Sequence, residues 1–76
     1  MQIRLLVFAS AADLAGFRER VLEYSPEETP RALLQRAAPA LDPEVIRVAI
    51  DCEYRDWDTP IGSAEEIAII PPVSGG

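Results

Sequence analysis

The sequence predicts an α+β fold in which a mixed sheet of four to five strands packs on one main helix and ends in a flexible C-terminal tail. Three observations lead there: apolar, β-prone runs at residues 2–9, 45–50 and 66–70; a single amphipathic stripe after Thr29-Pro30; and proline or glycine at the breaks between them. At 76 residues there is room for one core, because chains this short bury only about 60% of their unfolded surface. With 49% hydrophobic and 26% charged residues, the composition is that of a folded domain and not of a disordered chain.

The first run, QIRLLVFA, is apolar enough to be a strand covered on part of both faces. Ser10 is placed to cap a short helix over AADLAG, with Asp13 as a weak capping-box acid and Gly16 as its stop. FRERVLEY, residues 17–24, alternates imperfectly, with Phe17 and Val21 on one face and Arg18, Arg20 and Leu22 on the other. That pattern suits an edge strand in a hairpin with the first.

Thr29 caps and Pro30 opens a second helix, whose Leu33, Leu34, Ala37 and Ala38 form one stripe opposite Arg31, Gln35 and Arg36. Pro39 and Pro43 end it. VIRVAI, residues 45–50, is the next strand, and Asp51-Cys52-Glu53 is a hairpin turn or bulge before a weak strand at Tyr54. TPIGSA is loop, Glu66–Ile70 is the last strand, and two prolines forbid further ladder pairing. Two hairpin-like units flanking one helix are the organisation of a β-grasp domain, here residues 1–70 with a tail over 71–76, although propensity alone also allows other small α+β folds.

Thirteen carboxylates against seven arginines give a net charge of −6, which argues against nucleic acid or an anionic membrane as partner and for a basic protein surface. No lysine is present, so no side chain can accept an isopeptide bond. Without histidine and with one cysteine, a metal site is not expected, and no intramolecular disulfide is possible. The segment MQIRLLVFAS lacks the apolar region of a signal peptide or membrane span, so a cytoplasmic location is expected.

The ending carries the chemistry. The last strand runs directly into Pro71-Pro72-Val73-Ser74-Gly75-Gly76, and the ten residues after Glu66 are uncharged. Pro-Pro favours an extended base, the residues after it grow smaller, and six extended residues reach roughly 20 Å. Gly75 and Gly76 have no Cβ and can thread a channel too narrow for other residues. A free carboxylate at Gly76 is inert until ATP on a partner enzyme converts it to an acyl adenylate, which sulfide or a thiol displaces. A bland alternative is that a Gly-Gly end is only a frayed tail.

The ending EEIAIIPPVSGG resembles the small, sulfur-carrier subunit of molybdopterin synthase, the MoaD family, whose members close with a D-E-V-A-type strand and P-P-V-[ST]-G-G. Phe8-Ala9 in the opening strand, Gly16 after the short helix and the spacing from Ala49 to Gly76 extend the similarity. The resemblance implies a ubiquitin-like β-grasp fold with no cofactor bound by the chain itself. It implies adenylation of Gly76 by a MoeB-type enzyme that uses ATP, and sulfuration to a thiocarboxylate with the help of a sulfurtransferase. It further implies insertion of the tail into a large, MoaE-type subunit, where sulfur passes to cyclic pyranopterin monophosphate. On that reading the chain has no turnover alone. The alternatives are a sulfur carrier for thiamine or tRNA thiolation, and a ubiquitin-like modifier conjugated through Gly76.

Apolar residues at the base of the tail, Ile69 and Ile70, are the expected partner interface, although strand alternation sends one of the two into the core. The polar face of the helix at 30–38, Arg36 included, is expected to lie outside that interface. Cys52 is a second candidate sulfur-bearing group, against the reading of an inert thiol at a strand end. Trp57 is either a partner contact or half-buried packing. The pairs Glu27-Glu28 and Glu65-Glu66 read as solvated surface.

Overall fold

The computed structural model describes residues 1–72; Val73, Ser74, Gly75 and Gly76 lie outside the described residues, and with them most of the tail. The chain runs β1 (Gln2–Val7), α1 (Ala9–Ala15), β2 (Glu19–Glu23), α2 (Pro30–Ala37), β3 (Arg47–Ile50), β4 (Glu53–Arg55) and β5 (Glu66–Ile70). The strands form one mixed sheet in the order β2-β1-β5-β3-β4. Among the described residues only the β1–β5 pair is parallel; β1–β2, β3–β4 and β3–β5 are antiparallel.

Strand alternation divides the sheet into two unlike faces. Ile3, Leu5 and Val7 of β1, Ile67 and Ile69 of β5, and Val48 and Ile50 of β3 point to one side, where Leu33 and Leu34 of α2 close the core. Each of these is nearly or wholly buried. Among the described residues no helix is long and apolar enough to cross a membrane.

Thr29 caps α2 as the sequence predicts: its Oγ1 accepts from the Ala32 backbone N–H at 3.2 Å, and Pro30 occupies the first turn. The start of α1 differs from expectation. The helix begins at Ala9 after Phe8, with no side-chain cap, so Ser10 is not the capping residue. Gly16 does end it, in the left-handed region at φ 87°, with its N–H donating to the Ala12 carbonyl. Strand β1 is shorter than the apolar run because Ala9, at φ 49°, turns the chain sharply after Phe8.

In β2 Val21 and Leu22 face opposite sides, as the alternation predicts, and the structure decides which of them faces inward. Register pairs Ile3 with Leu22, so Leu22 leans on the core while Val21, opposite Arg4, is exposed. Tyr24, just past the strand, is buried, and its phenol accepts from the Ala64 N–H at 2.9 Å and donates to the Gly62 carbonyl at 2.9 Å. That one hydroxyl fixes the loop leading into β5.

Asp51 and Cys52 both have positive φ, 48° and 71°, and join Ile50 to its partner Glu53 in the tight turn whose twist suits a two-residue hairpin. Asp51 also accepts the Glu65 and Glu66 backbone N–H groups on Oδ1, each at 3.1 Å, which ties the turn to the start of β5. Asp51→Ala removes both charge-assisted bonds and keeps the unfavourable φ. We expect it to cost about 2 kcal/mol in urea unfolding, and Asp51→Asn, which retains an acceptor, clearly less.

Arg36 and Glu28 are not merely solvated. Arg36 makes two hydrogen bonds to the Glu28 carboxylate, at 2.7 and 2.9 Å, and donates to the Glu23 carbonyl at 2.6 Å, so it couples α2 to the end of β2. The hydrogen bonds from Arg36 hold the Glu28 carboxyl below its ordinary value of 4.5. A carboxylate held down in the folded state contributes stability above its unfolded value and loses it as pH falls through the folded one. Urea titrations at about pH 5 and about pH 3 should therefore show a larger loss for the wild type than for Glu28→Gln.

Candidate functional site

β5 lies in the middle of the sheet between β1 and β3, and its last residue, Ile70, leads into Pro71 and Pro72. Alternation settles the roles of the two isoleucines at the base of the tail. Ile69 is wholly buried between Val7 and Val48, which corrects its expected place at a partner interface: a core side chain offers no surface. Ile70 pairs with Arg47 and remains half-exposed on the opposite, helix-free face.

That face carries an apolar row that the linear sequence conceals. Register aligns Leu6, Ala68, Ala49 and Tyr54 across four strands, and Ile70 sits in the next row toward the tail. Phe8 continues the alternation of β1 beside Ile70; its N–H donates to the Ile69 carbonyl at 3.2 Å, and its ring is 48% exposed. Tyr54 is 66% exposed. Phe8, Leu6, Tyr54 and Arg47 were missed as site residues because a shared face depends on strand order. The usable signal was Phe8 itself, a large apolar residue where the β-run ends.

The left-handed Ala9 immediately follows Phe8, and the sharp turn it makes ends β1 with the aromatic left on the open face. A non-glycine residue in this region costs of order 1 kcal/mol, a strain that tends to be retained where it positions a functional group.

On the other side of Arg47 a groove of about 550 Å³ is lined by Arg31, Pro43, Val45, Arg47, Trp57 and Pro72, among others. Trp57 packs against the core from this groove, in agreement with a half-buried packing role. Arg31 is engaged by Asp58 through bonds of 2.8 and 3.3 Å, and its guanidinium holds the Asp58 carboxyl below the usual range. Arg47 is exposed and has no ion pair or side-chain hydrogen bond among the described residues.

Cys52 is exposed at the β3–β4 turn, next to Glu65 and Glu66 at the start of β5, whereas the tail leaves from the other end of that strand. The structure therefore does not bring Cys52 together with the tail base. Glu66 pairs with Arg4 at 2.9 Å, and Glu65 is exposed. Among the described residues no group of three or more His, Cys, Asp or Glu side chains could hold a metal ion.

The sheet order, the single parallel pair and the helix closing one face define a ubiquitin-like β-grasp domain. The sequence matches the ThiS family over residues 5–76, and the chain belongs to that family. It is 36% identical to a molybdopterin synthase sulfur carrier subunit of Dictyostelium discoideum, over 99% of this chain and 96% of that protein. The crystal structure of SAMP1, a small archaeal modifier protein of Haloferax volcanii, superposes with a TM-score of 0.78 at 27% identity, each chain covered completely. A ubiquitin of Caldiarchaeum subterraneum shares the fold, with a TM-score of 0.68 at 18% identity, over 100% of this chain and 98% of that one.

The assignment of the two isoleucines can be checked directly. Ile69→Ala should cost about 3 kcal/mol because it opens a cavity in the core, and Ile70→Ala about 1 kcal/mol or less, both read from chemical unfolding.

Proposed function

We propose that this chain is the sulfur-carrier subunit of a molybdopterin synthase and that its working group is the carboxylate of Gly76. The observation that carries this reading is the delivery of the uncharged PPVSGG ending from the middle strand of the sheet, beside an exposed apolar face. It occurs in a chain whose full-length relatives bear that name.

The chemistry proceeds in three steps. A carboxylate oxygen of Gly76 attacks the α-phosphorus of ATP on a MoeB-type enzyme, and pyrophosphate leaves. The outer persulfide sulfur of a sulfurtransferase then attacks the carbonyl carbon and AMP leaves; a second thiol breaks the S–S bond of the acyl persulfide, forming a disulfide and releasing the thiocarboxylate. In the large, MoaE-type subunit the thiocarboxylate sulfur attacks a carbon of cyclic pyranopterin monophosphate and an oxygen leaving group departs; water then cleaves the acyl–sulfur bond, which leaves sulfur on the pterin and regenerates the carboxylate. ATP is a substrate of the activating enzyme and not a cofactor of this chain. The reading includes a cytoplasmic site of action.

The chain's own contribution is presentation. Pro71 and Pro72 start the tail in an extended path, Val73, Ser74, Gly75 and Gly76 are the threading segment, and Ile70, Phe8 and Leu6 supply apolar surface around its base. A partner that encloses the tail has to cover this surface, and its burial supplies affinity without touching the reacting carboxylate.

The alternative of a protein modifier draws on the SAMP1 likeness at 27% identity. Intact-mass analysis of protein from its native host separates the two. A carrier shows sulfur in place of one carboxyl oxygen at Gly76, whereas for a modifier tryptic peptides of other proteins carry residues 56–76 on their lysines, because Arg55 is the last basic residue of the chain.

Two variants test presentation. Deleting Gly76 shortens the tail by about 3.5 Å and should abolish charging while leaving the fold and binding to the large subunit largely intact. Charging at the normal rate by that folded variant would refute the reading. Phe8→Asp should do the converse, weakening association with the large subunit at least about tenfold in titration calorimetry.

A further inference from the structure

An acyl adenylate on Gly76 is an electrophile, and any neutral amine or thiolate within reach of it is a competitor for the sulfur donor. The parallel β1–β5 pair determines where the chain's own nucleophiles lie relative to that electrophile. Met1 precedes β1 and Cys52 sits beside Glu66, so both belong to the pole where β5 begins, while the tail departs from the pole where it ends. The Met1 amine is further engaged there, donating to the Tyr24 carbonyl at 3.2 Å and lying 3.6 Å from the Glu23 carboxylate.

Distances along the sheet make the separation effective. Four residues beyond Pro72 span at most roughly 14 Å. At about 3.3 Å per residue, Glu66 and the Cys52 turn lie about 13 Å behind Ile70, and Met1 about 10 Å further still. Pro72 lies about 7 Å past Ile70 on an extended path, so the Cys52 turn is about 20 Å from it and Met1 further still, both beyond that reach. The pole of the tail is not free of cations, for Arg31 and Arg47 line a groove together with Pro72. Both are arginines in a chain whose seven basic residues include no lysine. A guanidinium is always protonated and has no lone pair to attack a carbonyl, whereas a lysine amine deprotonates readily enough to do so.

We infer that the fold and the arginine-only surface together protect the activated terminus from capture by its own chain. Every amine or thiol is placed at the far pole, and the charge at the tail base, Arg47 above all, is carried in a non-nucleophilic form. This rests on the reading that Gly76 is activated. The reaction avoided is aminolysis. A neutral amine would attack the Gly76 carbonyl carbon, and the bond to AMP or sulfur would break with its electron pair on the leaving group. The ammonium would then lose a proton to water, leaving a cyclic amide that could no longer be charged.

The experiment uses the full chain bearing a 2-mercaptoethanesulfonate thioester on Gly76, installed by intein cleavage, at a dilution where only intramolecular reaction competes with hydrolysis. Wild type should yield the free acid alone. Arg47→Lys places an amine beside Pro72 and should consume the thioester at least about tenfold faster, giving a product one water lighter than the acid, as expected for a tethered reactant. Gln2→Lys, at the far pole, should behave as wild type. Cyclisation of the wild type, failure of Arg47→Lys to cyclise when folded, or equal cyclisation of Gln2→Lys would each overturn the inference. Because the thioester is installed chemically, none of these outcomes depends on natural charging, which ATP and the activating enzyme test separately.

Discussion

The parallel pairing of β1 with β5 is the constraint on which the rest of this structure depends. It joins residues about sixty positions apart, with Arg4 against Glu66 and Val7 against Ile69, and makes β5 an interior strand. A strand inserted last between two others is held by hydrogen bonds on both edges and by Ile67 and Ile69 in the core. The chain that follows therefore departs from a rigid base. Parallel direction also puts the start of the chain and the departure of the tail at opposite poles.

The second consequence is a division of labour by alternation. The same five residues of β5 supply the core through Ile67 and Ile69 and the open face through Ala68 and Ile70. Stability and presentation are thereby separated by one residue, and surface substitutions on one side leave the packing on the other intact. The acidic chain surrounds that face with charge: Glu19, Glu66 and Asp51 lie at its margins, where they favour a basic partner and disfavour polyanions. Ion pairs such as Arg4–Glu66 are exposed and contribute little to stability; their effect is on which surfaces approach.

Much of this was legible in the sequence because it is local. Thr29-Pro30 announces α2, Gly16 ends α1, Pro71-Pro72 ends the sheet, and the β-rich runs at 2–9, 45–50 and 66–70 contain three of the five strands. The misreadings are equally local in cause. Ser10 offered a cap, but the turn at Ala9 started the helix two residues earlier. Alternation put Val21 and Leu22 on opposite faces of β2 without saying which faced inward, and the register with β1 gave that place to Leu22, with Tyr24 buried just past the strand. Arg36 and Glu28 looked like solvent-facing charges eight residues apart, and it took the packing of α2 beside β2 to join them.

By itself the sequence determined the character of the ending: an uncharged, proline-stiffened, glycine-tipped tail on an acidic chain without lysine or histidine, because composition and local stiffness need no partner strand. Only the tertiary structure decided which isoleucine faces outward, that Phe8, Leu6 and Tyr54 share a face with it, and that Cys52 and Met1 lie at the far pole from the tail. Those facts follow from strand order and register, which are set by long-range pairing and burial of one face rather than by any residue's own propensity.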